Sequence, residues 1–342
     1  MSITLDGNQL TSLPKALLHL NDVTTLTVDG LSDEDSDVMQ HVNRTLRGFT
    51  LYGTTLDEST SLAAMQYLSH LEDLSIMKVR LEEIPDRAFS SIAKTLHYLH
   101  LSQNVILGNF TLLCDLKSLK RIYVSHVEFA PDIPPVPICP TPVYSSERLD
   151  VTQSQLESFP AALLTFPNLH DLSLNQNNIT DIDSSMVPAN NEVEELRMSG
   201  NSLIAVPDAL KKMKLLRYLD MSHNQIIALK DGDFQNLLEL NTVFLDYNPI
   251  TFIARAAFQN CPRVQKLSLA STMLVNVPEA MTYLPKLNLL DFSGAPVKCD
   301  CRIVWILKQR PGIRGNCPNS SDKISDFFHR SIVSCGENPA IG

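Results

Sequence analysis

Four of the seven cysteines fall close together near the end of the chain, at Cys299, Cys301, Cys317 and Cys335. Clustered thiols can hold zinc or pair as disulfides. A tetrahedral zinc site needs four converging ligands and usually draws them from two close pairs. Here one C-x-C is followed by lone cysteines 16 and 18 residues further on, which is poor metal spacing. The nine histidines are scattered rather than set at ligand intervals. There is no G-x-S-x-G, no H-E-x-x-H, no P-loop and no glycine-rich nucleotide fingerprint. These absences predict a non-catalytic protein with no metal and no cofactor. What remains is a set of Tyr, His and Arg residues able to recognise a ligand by ring contact and charge. Their grouping depends on the elements that carry them.

Those elements repeat. The stretch LRYLDMSHNQI at 216–226 has apolar residues at offsets 0, 3, 5 and 10 (Leu216, Leu219, Met221, Ile226) and an Asn at offset 8, Asn224. Similar stretches start at Val23, Leu46, Leu71, Leu96, Leu119, Ser146, Leu169, Val193, Leu240, Val264 and Leu287, after a truncated first copy. From Val23 onward the starts are 23, 25, 25, 23, 27, 23, 24, 23, 24, 24 and 23 residues apart, giving about thirteen units. A fixed period of this size marks a solenoid, in which each unit buries its apolar face only against its neighbours. The xLxLx core alternates as a strand does, so offsets 3 and 5 point inward and offsets 2, 4, 6 and 7 remain in solvent.

The Asn sits where the chain leaves the strand while still facing inward. Backbone groups there are buried without a ladder partner, and a side-chain amide can donate and accept at once. Asn fills this column at 8, 104, 177, 201, 224 and 248, with Thr54, Ser154 and Thr272 as smaller substitutes; Leu31, Val79, Val127 and Ala295 depart from it. The units over 169–263 are therefore expected to be the most regular and the first 130 residues more distorted. Phe89, Phe234 and Phe258 share offset 18, which predicts a stacked inward aromatic column. Pro14, Pro85, Pro160, Pro207 and Pro278 share offset 14, so short 3₁₀ or one- to two-turn helices are expected on the return side. APDIPPVPICPTPV (130–143) reads as a Pro-rich return segment rather than a hinge, because its unit is only slightly long. The acidic run Asp33–Asp37 reads as a solvated loop.

The pattern LxxLxLxxNxL resembles the leucine-rich repeat family over nearly the whole chain. The resemblance implies an α/β solenoid, a right-handed horseshoe with a parallel concave β-sheet. The block APVKCDCRIVWILK, followed by Cys317 and Cys335, resembles the cysteine-rich C-terminal cap of extracellular members such as Toll-type and Slit-like ectodomains. Ala295-Pro296 stands where that cap usually has Asn-Pro. The expected division is a solenoid over 1–298 and a cap over 299–342, with CRIVWILKQR as a helix. Family pairing implies Cys299–Cys317 and Cys301–Cys335. Cys114 falls at offset 18 and reads either as a buried thiol or as a bridge to Cys139, one coil on; Cys261 reads as a buried free thiol. At the other end no cysteine cap is visible, so either a leader and cap have been trimmed or a partner covers that end.

Strand register groups the recognition residues. One basic and aromatic patch contains His97, Tyr98, His100, Arg121, Tyr123 and His126. A second contains Arg197, Arg217, Tyr218, Asp220, Phe244 and Tyr247. Exposed Tyr and Arg on rigid strands are typical of interface hot spots. The competing reading is a mixed solvated surface, with Arg197–Asp220 as a lateral ion pair.

Composition narrows the partners. Net charge is -10, and residues 1–43 contribute seven acids against Lys15 alone, a balance of -6. With no basic tract, nucleic acid and anionic membranes are poor partners. No apolar run reaches the length of a membrane span, so direct membrane insertion is not expected. Disulfides point to an oxidising compartment, hence an extracellular location. The sequons at Asn43, Asn109, Asn178 and Asn319 would then be glycan acceptors. The expected function is recognition of a protein or glycan ligand, as a receptor ectodomain or a secreted innate-immune or adhesion protein, acting alone or as a homo- or hetero-dimer. The competing function is a secreted accessory or scaffold subunit that stabilises a partner.

Overall fold

The computed structural model describes residues 1–53, 62–82, 89–108, 110–300, 311–318 and 322–331. Two compact units are present, the first formed by Met1–Leu156 with Pro160–Ser173 and the second by Glu157–Phe159 with Leu174–Gly342. Both are stacks of one-strand coils, the α/β solenoid of leucine-rich repeats.

In the first unit the strands run in parallel from Ser2–Thr4 through Gly48–Tyr52, Asp73–Met77, Tyr98–Ser102 and Arg121–Ser125 to Asp171–Ser173. In the second they run from Glu195–Arg197 through Tyr218–Asp220, Thr242–Phe244, Lys266–Ser268 and Leu289–Asp291 to Gly312–Arg314. Equal offsets lie side by side: His100 pairs with Tyr123 in one unit, and Arg197, Asp220 and Phe244 align in the other. The alternation holds in three dimensions. Leu216, Leu219, Met221 and Ile226 are all fully buried. Phe234 and Phe258 stack with ring centroids 4.7 Å apart and planes 7° from parallel.

The Asn column does the work its position requires. Asn224 Nδ2 donates to the carbonyls of Met198 in the preceding coil and of Met221 and Ser222 in its own, at 2.9, 3.1 and 3.1 Å. Its Oδ1 accepts from Leu203 N at 3.0 Å. Asn248 repeats the arrangement toward Met221 and Ile226. Because each Asn reaches back one coil, a coil without its own Asn is still served: Asn104 takes the Val79 N–H at 3.0 Å and gives to Ile76 O at 2.8 Å.

The strands between 48 and 125 are longer than those between 195 and 291, five residues against three. The early coils depart from the later ones on the return path instead. There Arg80–Leu81, Val105–Ile106 and Glu128–Phe129 form a three-stranded parallel ladder, where the later coils have, among the described residues, the two-stranded one of Ala228–Leu229 and Phe252–Ile253, and Ser36–Val42 is an α-helix. The acidic run is not a loop: Asp33–Asp35 form a 3₁₀ helix that leads into this α-helix, and Asp37 stands in its first turn. Asp35 is buried, accepts from Leu13 N and Ser32 N at 2.9 and 2.8 Å, and completes a capping box with Ser32. Asp37 meets Lys15 at 2.7 Å, and that contact holds its carboxyl below the usual range.

On the return side Pro14, Pro207 and Pro278 stand directly before the 3₁₀ helices Lys15–His19, Asp208–Lys212 and Glu279–Tyr283, with φ of -61°, -65° and -71°. Pro85 lies outside the described residues. Segment 130–143 lies inside the first unit and is tied down by a Cys114–Cys139 disulfide, Cα–Cα 5.3 Å. Cys114 is therefore not a thiol. Cys261 is free and buried, and burial pushes its pKa up to about 12. At the end of the second unit, Cys299 and Cys317 are joined, and helix Ile324–Ser331 packs on Gly312–Arg314. Cys301, Cys335 and all of CRIVWILKQR lie outside the described residues.

Candidate binding face

A backbone feature absent from the sequence reading shapes the face. The residue just before the Asn position adopts left-handed φ in coil after coil: Lys78, Gln103, His126, Gln153, Gln176, His223, Tyr247 and Ser271 have φ of 52–56°, and Gly200 and Gly294 have 71° and 75°. For a residue with a Cβ this costs roughly 1–2 kcal/mol. The turn holds it because in most of these coils the N–H donates to the next coil, as His223 N does to Asp246 O and Tyr247 N to Ala270 O, both at 2.8 Å. Identical conformations in adjacent coils bring the side chains into line. His223 and Tyr247 consequently stack face to face, centroids 4.2 Å apart and planes 10° from parallel.

In the second unit this pair flanks a larger group. Tyr218 and Phe244 lie 5.6 Å apart, the Arg197 guanidinium is over Tyr218 at 4.9 Å, and the Lys266 ammonium is over Phe244 at 4.3 Å. Such cation–ring contacts contribute roughly 0.5–1 kcal/mol each where exposed. Arg197 also bonds the Glu195 carboxylate, and Arg217 bonds Glu194 at 3.0 Å. Asp220 accepts instead from Ser222 N and Oγ, at 2.9 and 2.6 Å. Burial raises the Tyr218 pKa and, more deeply in the face, that of Asp246, which accepts from Ser268 Oγ and Ala270 N. Tyr247 is 56% exposed.

In the first unit Tyr98, His100 and Tyr123 pack mutually, with centroids 5.3 Å apart for the two tyrosines and 5.9 Å for His100–Tyr123. His100 Nε2 contacts Ser102 Oγ, which meets Ser125 Oγ at 2.8 Å. Burial depresses the His100 pKa, with a smaller opposing pull from Asp150. Arg121 is exposed beside Tyr98, across the strand pair. His97 and His126 are exposed at the margins and do not join the ring cluster. Two cations were missed by the sequence reading: Arg148 lies over Tyr123 at 5.5 Å and pairs with Asp171 at 3.2 Å, and Lys266 covers Phe244 as above. Both are one strand beyond the patches as drawn, so strict use of strand register would have found them.

Of the sequons, Asn178 is exposed. Asn43 is half-buried, its Nδ2 donating to Ser69 Oγ at 3.1 Å and its Oδ1 accepting from Ser69 N at 2.6 Å. Asn109 and Asn319 lie outside the described residues.

The coils, the Asn ladder and the aligned strand faces define a repeat solenoid whose outward sheet positions are free to vary. The leucine-rich repeat model matches residues 167–226 and 238–296. Over these two stretches the chain carries leucine-rich repeats. It is 25% identical to leucine-rich repeat-containing G-protein coupled receptor 5 of Xenopus tropicalis, over 79% of this chain and 29% of the receptor. It is 29% identical to Tsukushi of Gallus gallus, over 67% of this chain and 60% of Tsukushi. The chain therefore spans less than two thirds of either relative's length. Similar solved structures include a leucine-rich repeat protein of Leptospira interrogans (TM-score 0.70, 19% identity, 93% of this chain and 78% of that one). A TLR13–ssRNA13 complex is also similar (TM-score 0.69, 20% identity, 82% and 41%). So is a chain of the octameric complex of Latrophilin 3, Unc5D and FLRT2 (TM-score 0.65, 20% identity, 92% and 90%).

Proposed function

We propose that this chain is a non-catalytic extracellular recognition module that binds a protein or glycan ligand on its strand faces. The observation carrying the proposal is the ring-and-cation surface of Tyr218, Phe244, His223 and Tyr247 with Arg197 and Lys266, set on strands that need no rearrangement to bind. Rigid aromatic anchors lose little conformational entropy on association. The Tyr98–His100–Tyr123 cluster offers a second contact area of the same kind in the other unit. The disulfides and the receptor and Tsukushi relatives support an extracellular location, as a receptor ectodomain or a secreted innate-immune or adhesion protein. Although one structural neighbour is a complex with RNA, this acidic chain lacks the basic stripe that phosphate binding requires, so a protein or glycan fits it better.

The test is quantitative capture from native tissue and on a glycan array, comparing the wild-type chain with Tyr218→Ala/Phe244→Ala and Tyr98→Ala/Tyr123→Ala. All of these substitutions are on partly exposed side chains. Loss of a captured ligand by at least one pair, with melting temperatures unchanged, supports the reading. Identical capture by wild type and both pairs rejects it.

A further inference from the structure

The second unit has a groove on its return side, away from its strands, with a volume of about 1070 Å³. Phe159, Ile182 and Val206 are buried in its wall, and Ile204 projects into it while 65% exposed. Ile227, at the same offset in the next coil, is 57% exposed and continues the apolar line. The rim carries four carboxylates, Glu157, Asp181, Asp183 and Asp208, against Lys230 in the lining and Lys212, whose Nζ donates to Ser184 O at 2.7 Å. Asp208 is partly answered by Lys211 at 2.7 Å, and Asp183 caps the 3₁₀ helix Ser184–Met186 through Ser185 N at 2.8 Å. Glu157 and Asp181 form no ion pair among the described residues.

We propose that this groove docks a partner protein through a segment in which apolar side chains alternate with Lys or Arg. An apolar wall left in water favours an apolar insert, and unpaired carboxylates around it select a cationic flank. The same carboxylates repel an anionic lipid surface. They also disfavour a second copy of this chain, which carries a net charge of -10 and has no basic tract to offer. Since the groove lies off the strand face, this inference is independent of the proposed ligand site.

The probe is a labelled peptide of alternating Lys and Ile, followed by fluorescence anisotropy on the whole chain. Two control peptides replace Lys by Glu and Ile by Ser. Saturable binding of the Lys/Ile peptide alone is expected. It should weaken about tenfold or more in Glu157→Lys/Asp181→Lys and in Ile204→Ser. All three substituted side chains are exposed, and unchanged melting temperatures would verify folding. Tyr218→Ala/Phe244→Ala should bind the peptide normally, which separates failure here from failure of the strand-face reading. No saturable binding below about 1 mM, equal binding of the Glu/Ile peptide, or indifference to the groove substitutions overturns the proposal. So does a concentration-dependent dimer abolished by Ile204→Ser, which would assign the groove to a second copy.

Discussion

At the residue scale, one buried amide per coil replaces the ladder that a turn cannot form. Asn224 serves a backbone N–H and three carbonyls. Asn224→Ala leaves the Leu203 N–H unpaired, while the Met198 and Met221 carbonyls keep the donations of Asn201 and Asn248, so a loss of about 1–3 kcal/mol is expected in urea unfolding. Asn224→Asp can still accept from Leu203 but can no longer donate, and should not rescue. His100 makes a second residue-scale prediction. Burial lowers its folded pKa below the unfolded value of about 6.5, so the folded state binds fewer protons there than the unfolded state. Stability is then fully present above the unfolded pKa. It declines as pH falls through about 6.5 and levels off below the depressed folded pKa. A His100→Gln variant should lose this component of the acid-side decline, as read by melting temperature against pH. The Asn column was visible in the sequence because side-chain chemistry carries it. The left-handed residue just before it was not: Lys, Gln, His, Tyr and Ser occupy that position, and backbone conformation leaves no common residue type behind when the turn, not the side chain, enforces it.

At the element scale, the coil is the unit that a repeat period can reveal, and its strand, inward apolar positions and Pro-led 3₁₀ return were all legible. What escaped was the compensation between coils. Val79 lacks the amide of its own coil, yet Asn104 supplies it from the next, and the departure expected of the first 130 residues lies on the return path rather than in their described strands. Legibility also ended at the acidic run, where Ser32 and Asp35 form a cap whose burial depends on Leu13 in the previous coil. The Cys114–Cys139 bridge shows what such a cross-coil tie is worth. It joins a position held elsewhere by Phe to the Pro-rich return segment, which has no helix of its own. A loop of 25 residues implies about 3 kcal/mol from chain entropy. Cys114→Ala/Cys139→Ala should lose about that much in urea unfolding. It should also raise hydrogen exchange at Ile133 and Val143 before it does so at Leu149. Uniform exchange across these positions would mean that the bridge only crosslinks a segment already held by packing.

At the scale of the whole molecule, sulfur chemistry decides the compartment, and the compartment limits the function. A repeat scaffold kept in a reducing cytosol would hold all seven cysteines as thiols. The structure joins four of them in two bridges and leaves Cys261 buried with its Sγ directed at Phe234 O, 3.1 Å away. Cys301 and Cys335, the remaining two, lie outside the described residues, and we propose that they are paired, as the resemblance of the tail to an extracellular cap implies. Protein purified without reductant should therefore show no thiol reactive toward a colorimetric disulfide reagent when native. A pKa near 12 and full burial keep Cys261 both protonated and out of reach. After denaturation the count should rise to one. A count of three would leave the solenoid intact but remove the second cap bridge, whereas seven would place the chain in a reducing compartment. The last result would end the case for extracellular ligands and glycosylated asparagines together, because both rest on the same oxidising environment.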